Sequence, residues 1–128
     1  MKRTVAIRLK IPDNEAYTAW TALRRLGVEV ARVERSQIRQ FDDSGNAEDL
    51  LARIARDETL FNPNKHQLEL RDENTPRAGE LWIDDGREGS YVGWQLYGEG
   101  HAAASDATVR AAAERLLCNP AIERAIMR

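Results

Sequence analysis

The chain has 128 residues, with 19 basic against 21 acidic side chains and a net charge of −2. That is the size of one domain, and so balanced a charge provides no field to hold a polyanion or an acidic membrane surface. Nucleic acid and membrane are therefore not expected partners. Residues 1–10 are charged at both ends and no apolar stretch approaches the ~20 residues that a bilayer requires, so a cytoplasmic protein is expected. Cys118 is the only cysteine, which excludes an intramolecular disulfide and a multi-cysteine metal site. Its apolar neighbours predict a buried, inert thiol.

In chain order, residues 4–11 alternate, with Val5, Ile7, Leu9 and Ile11 on one face, which predicts a half-buried strand. Pro12 and Asp13 stop it, and Asp13 is placed to cap a helix over 13–26 whose apolar face holds Ala16, Ala19, Trp20, Leu23 and Leu26. Gly27 has the position of a C′ glycine. Residues 28–41 are β-rich, but the apolar positions change parity between Val30 and Val33, which predicts a bulge or bend. Arg32, Arg35 and Arg39 interleave with Glu29, Glu34 and Asp42, the pattern of an exposed strand edge.

Asp42 to Gly45 form a turn, and Asn46 caps a second helix with Ala47, Leu50, Leu51, Ile54 and Ala55 on its apolar face. Periodicity fades from 57 to 78, where only 67–71 looks like a strand. Residues 80–84 and 91–98 flank Asp85-Gly86-Arg87-Glu88-Gly89 and predict a β-hairpin. Leu81 and Ile83 share a face with Val92, Trp94 and Leu96, while Trp82, Tyr91 and Tyr97 have the opposite parity. Ser105 caps a helix through Cys118, with Val109, Ala112, Ala113, Leu116 and Leu117 inward. Asn119 ends it, because the residue before a proline disfavours the α region. The tail from 121 to 127 is open between strand and helix.

Two segments carry a resemblance. Ala22-Leu23-Arg24-Arg25-Leu26-Gly27 followed by Val30-Ala31-Arg32-Val33, and Leu116-Leu117-Cys118-Asn119-Pro120-Ala121-Ile122-Glu123, resemble the patterns near the two ends of PurS, the small subunit of phosphoribosylformylglycinamidine synthetase. The likeness covers residues 4–33 and 106–128 and leaves 42–78 as an insertion within a single domain, 1–128. It implies a ferredoxin-like, PurS-like βαββαβ two-layer α+β sandwich with an antiparallel sheet, assembled as a homo-oligomer, dimer or tetramer. It also implies a non-catalytic role bridging synthetase and glutaminase subunits in purine biosynthesis. No catalytic residue carries over, and no cofactor is implied. The alternative is a ligand-sensing or regulatory oligomeric domain of the same fold.

The residues themselves offer few sites. His66 and His101 lack partners at metal-ligand spacing, no serine sits in a nucleophile elbow, and the glycine turns lack phosphate-loop spacing. Asn64, Lys65 and His66 form the one donor-rich loop, a set that can converge on a phosphate or carboxylate. The plainer reading is a solvated turn held by Asn side chains, with Phe61 tucked inward. Trp82, Tyr91 and Tyr97 are the candidate interface, since a hairpin with aromatics on both faces needs a second cover. Either another subunit or the helix at 47–56 supplies it.

Overall fold

The cap and C′ glycine of the first helix form as the sequence predicts, and its apolar stripe forms as far as Leu23. In the computed structural model, which describes residues 1–128, β1 spans Lys2–Leu9 and α1 spans Asn14–Arg25. Asp13 Oδ1 accepts the N–H groups of Glu15 at 2.9 Å and Ala16 at 3.2 Å, satisfying two donors that the first turn leaves free. Gly27 follows the helix at φ +82°, a conformation that costs glycine nothing. Leu26, placed on the apolar face by its spacing, is instead 44% exposed at the helix C-cap.

Val28 and Val30 are buried in an extended return outside any strand, and β2 runs from Arg32 to Asp42. The parity change is thus a bend at Ala31 on the entry to β2, one of the two forms expected, and not a bulge, since the registers of β2 with both neighbours are continuous. Then come α2 (Ala47–Arg56), β3 (His66–Leu70), β4 (Glu80–Asp84), β5 (Ser90–Tyr97), α3 (Asp106–Ala112) and β6 (Ala125–Met127). Asn46 caps α2 and Ser105 caps α3 through their side-chain oxygens. The open tail resolves as strand β6, paired with β4.

The strands form one antiparallel sheet in the order β3-β1-β2-β5-β4-β6. The architecture is α+β, a six-stranded antiparallel sheet with three helices. By register, Val5, Ile7, Val33, Leu81, Ile83, Val92, Trp94 and Leu96 share one face, and all three helices pack there. Leu23 of α1 and Val109 and Ala112 of α3 bury against Val33, Leu81, Ile83 and Leu96. Separately, Leu50 and Ile54 of α2 bury against Val5 and Ile7, with Leu68 and Leu70 of β3 beside them. Ala55 of α2, expected inward, is exposed. Between these two cores the same face of β2 presents Arg35, Gln37 and Arg39. β2 is therefore no sheet edge but the third strand of six, and its polar row divides the core in two.

α3 continues into a π-turn over Ala113–Leu117, with Cys118 N–H donating to Ala113 O at 3.0 Å. The wider register rotates the following side chains relative to an α-helix, which leaves Leu116 40% exposed instead of inward. Cys118 is half-buried, and burial pushes its thiol pKa up.

The helix-free face is also covered. Thr4, Ala6, Ile38, Glu80 and Trp82 are buried there, so β1 is enclosed on both sides instead of one. The cover is the connection from β3 to β4, residues 71–79. Asn74 Oδ1 accepts from Thr4 Oγ1 at 2.8 Å, and Asn74 O accepts from Gln40 at 3.0 Å. Arg71, whose N–H is still bonded to Thr4 O of β1, makes a bidentate bond to Glu80 at 3.0 and 2.7 Å. Strands β3 and β4 lie four spacings apart, about 19 Å in a flat sheet, more than the two side chains bridge. Their contact therefore means that the sheet curls toward this face.

Candidate functional site

A broad concavity opens where β1 ends and β2 begins. It has a volume of about 660 Å³ and is lined by Leu9, Ile11, Ala16, Tyr17, Trp20 and Val33 on its apolar side. Its charged side holds Arg8, Arg32, Glu34, Arg35 and Asp13. The size is that of a small-molecule site. Each wall has a local cause. Pro12 turns the chain out of β1 and leaves Ile11 60% exposed at the rim. The first turns of α1 place Ala16 inward and Tyr17 outward, 65% exposed, with its ring 5.6 Å from that of Trp20. The Trp20 indole is fixed by donation to Val30 O at 2.9 Å and by Arg24 over its ring at 5.0 Å.

The charges are organised in two groups. Glu34 accepts from Arg8 at 2.9 Å and also bonds Arg32, whose guanidinium lies 4.6 Å over the Tyr97 ring. Burial pushes Glu34 up, but its bonds and charge contacts with Arg32 and Arg8 prevail and hold it below the usual carboxylate range. Tyr97 is raised, by burial and by the Glu34 carboxylate. In the second group Arg35 donates to Asp13 at 3.2 Å and to Glu15. Asp13, 14% exposed, is held by its capping role, whereas the Glu15 side chain is 69% exposed. An ion pair with so exposed a partner contributes about 0–1 kcal/mol and is readily exchanged.

Leu9, Asp13 and Arg35 also line a smaller recess of about 190 Å³ that runs in over β2 between α1 and the segment after α2. Its other lining residues include Ile7, Gln37, Leu60, His66 and Val92. No family model, curated protein or solved structure matches this sequence. The site is therefore read from its own geometry.

Of the loop candidates, the structure brings only His66 to this cleft system. Its Nδ1 accepts the Asn62 N–H at 2.9 Å and its ring lies 5.9 Å from Phe61. Asn64 and Lys65 are exposed, with Asn64 N–H donating to Asn62 Oδ1 at 2.9 Å. No hydrogen bond joins the side chains of Asn64, Lys65 and His66, and the loop has the form of an Asn-held turn with Phe61 half-buried. No three His, Cys, Asp or Glu side chains gather as metal ligands.

Trp82, Tyr91 and Tyr97 do share the helix-free face, as their parity predicts. Trp82 is only 1% exposed, 5.4 Å from Tyr91 and packed with Ala6 and Ile38. Its own chain encloses it, so it offers no surface to a partner. Tyr91 and Ile126 complete its packing, while the 47–56 helix lies on the other face. Tyr91 and Tyr97 are half-buried, and Tyr97 joins the Glu34 cluster.

Sequence reasoning missed Arg8, Tyr17 and Arg35 as site residues. One signal was present: Arg35, Gln37 and Arg39 occupy successive positions of one β face in a long, otherwise apolar-flanked strand. Such a row marks either an edge or a polar channel inside the fold, and only the strand order distinguishes them.

Proposed function

We propose that the chain is a ligand-binding, regulatory type of domain whose working site is the cleft between the start of α1 and the start of β2. The observation that carries this reading is the cleft's composition: exposed Ile11 and Tyr17 line a concavity of about 660 Å³ together with three arginines. Apolar side chains left in water beside convergent charges suit recognition of a small molecule. The charged groups are engaged with one another and so serve orientation better than proton transfer. A titration of the isotopically labelled protein with a library of small soluble fragments tests it by amide NMR. Binders are expected to shift residues 8–17 and 32–35; a library that leaves these amides unmoved would remove the reading.

A second reading, a PurS-like assembly subunit that bridges a synthetase and a glutaminase, is favoured by one observation. The Asn119-Pro120 corner leads the chain from the last helix into β6, with Asn119 N–H donating to Glu123 at 2.8 Å and Asn119 Oδ1 accepting from Ala121 N–H. Such a subunit would have a ferredoxin-like sandwich and self-associate. A split β-α-β unit keeps its two strands parallel with a third between them, whereas β1 and β2 here pair directly and antiparallel. Co-purification from native lysate of both enzyme subunits with the tagged chain is the expected result of this second role, and their absence counts against it.

A further inference from the structure

Building on the reading of the cleft as a ligand site, we propose that its ligand is a small monoanion with a planar aromatic body. The anion is assigned to the arginine side and the ring to Tyr17 and Trp20.

Charge sets the first half. Among the residues that line the cleft, Arg8, Arg32 and Arg35 stand against Asp13 and Glu34, a surplus of one positive charge. Glu34 alone serves both Arg8 and Arg32. Arg35 has a fixed partner in Asp13 and an exchangeable one in Glu15, which lies outside the lining. A carboxylate, sulfonate or phosphate diester on the ligand takes the place that Glu15 vacates, and the guanidinium fork suits such a planar or tetrahedral oxyanion. A dianion would exceed the surplus, and a cation would meet three arginines.

The apolar wall sets the second half. Tyr17 presents an exposed ring beside Trp20, Ile11 is exposed as well, and Leu9, Ala16 and Val33 complete the apolar lining. Trp20 Nε1 is already spent on Val30 O, so this wall offers ring faces and methyl groups but no indole donor. It favours a body without polar edges, bound by stacking and burial.

The test uses two dyes that differ only in the anion: 1-anilinonaphthalene-8-sulfonate and its neutral parent, N-phenyl-1-naphthylamine. With the full chain, fluorescence titration is expected to show tighter binding of the sulfonate. Arg35→Gln should weaken the sulfonate about tenfold, the size of one charge-assisted hydrogen bond, and leave the neutral dye unchanged. Arg8→Gln, at a side chain 38% exposed, repeats the test if Arg35→Gln does not fold, as judged by near-UV circular dichroism. Tyr17→Ala should weaken both dyes about fivefold. Equal affinity for the two dyes, with no effect of the arginine variants but a loss in Tyr17→Ala, overturns the anion assignment and leaves the cleft as a site. Binding of neither dye, or binding that none of the three variants alters, overturns the cleft itself.

Discussion

The Arg71–Glu80 pair shows how much a single contact can carry. Both side chains are almost fully buried, at 6% and 1% exposure. Glu80 also accepts the Arg77 N–H at 3.0 Å, and Arg71 also donates to Glu69 at 3.0 Å. Replacing Glu80 by Gln leaves the buried guanidinium with only the half-exposed Glu69 as counter-charge, which costs up to about 3–5 kcal/mol; urea denaturation is expected to show a loss approaching that order. Exchanging both residues for Met should cost less, because no lone charge remains buried. Asp85 works in the opposite regime. Burial pushes its pKa up, but bonds from Ser90 and from Arg87 side chain and backbone outweigh this and bring it down to about 2 from an ordinary 3.8. A depressed carboxylate contributes stability that is complete above its unfolded value and is lost as pH falls through the folded one. Between pH 4 and pH 2 the thermal midpoint of Asp85→Asn is therefore expected to fall less steeply than that of the wild type.

At the scale of elements, the hairpin of β4 and β5 is held from both sides. Gly93, opposite Trp82 in register, has no space for a side chain: a Cβ there would lie 2.8 Å from Ile38 Cγ1. The indole ring fills the space above that glycine, and Trp82→Ala is expected to cost about 3–5 kcal/mol in urea denaturation, as a truncation in a packed core does. The loss comes from the interior of the chain, so it is expected at any protein concentration; a loss seen only on dilution would mean that Trp82 acts between subunits. The strap over residues 71–79 is the other half of this enclosure. Asn74→Ala removes its side-chain bonds to Thr4 and to Lys2 O, and hydrogen exchange of amides in β1 and β2 should quicken while those of α1 do not. Nothing in the local pattern of 71–79 announced this role. The segment has no periodicity, and its covering position depends on where β3 and β4 end up in the sheet.

Across the whole molecule, local chemistry was legible and long-range order was not. The caps Asp13, Asn46 and Ser105, the left-handed Gly27 and the two-faced hairpin act within a few residues, so the sequence by itself determined them. It also fixed which side chains of each strand share a face, because that depends only on a period of two. Which strands are neighbours depends on contacts far apart in the chain, and no local pattern encodes it. Strand order made Arg32, Arg35 and Arg39 residues of a central strand instead of an edge. Sheet coiling brought Arg71 to Glu80 and put Trp82 inside. The cleft is of the same kind: Arg8, Asp13, Tyr17 and Arg35 come from three elements, and only the antiparallel pairing of β1 with β2, with α1 folded back over them, places their side chains around one space.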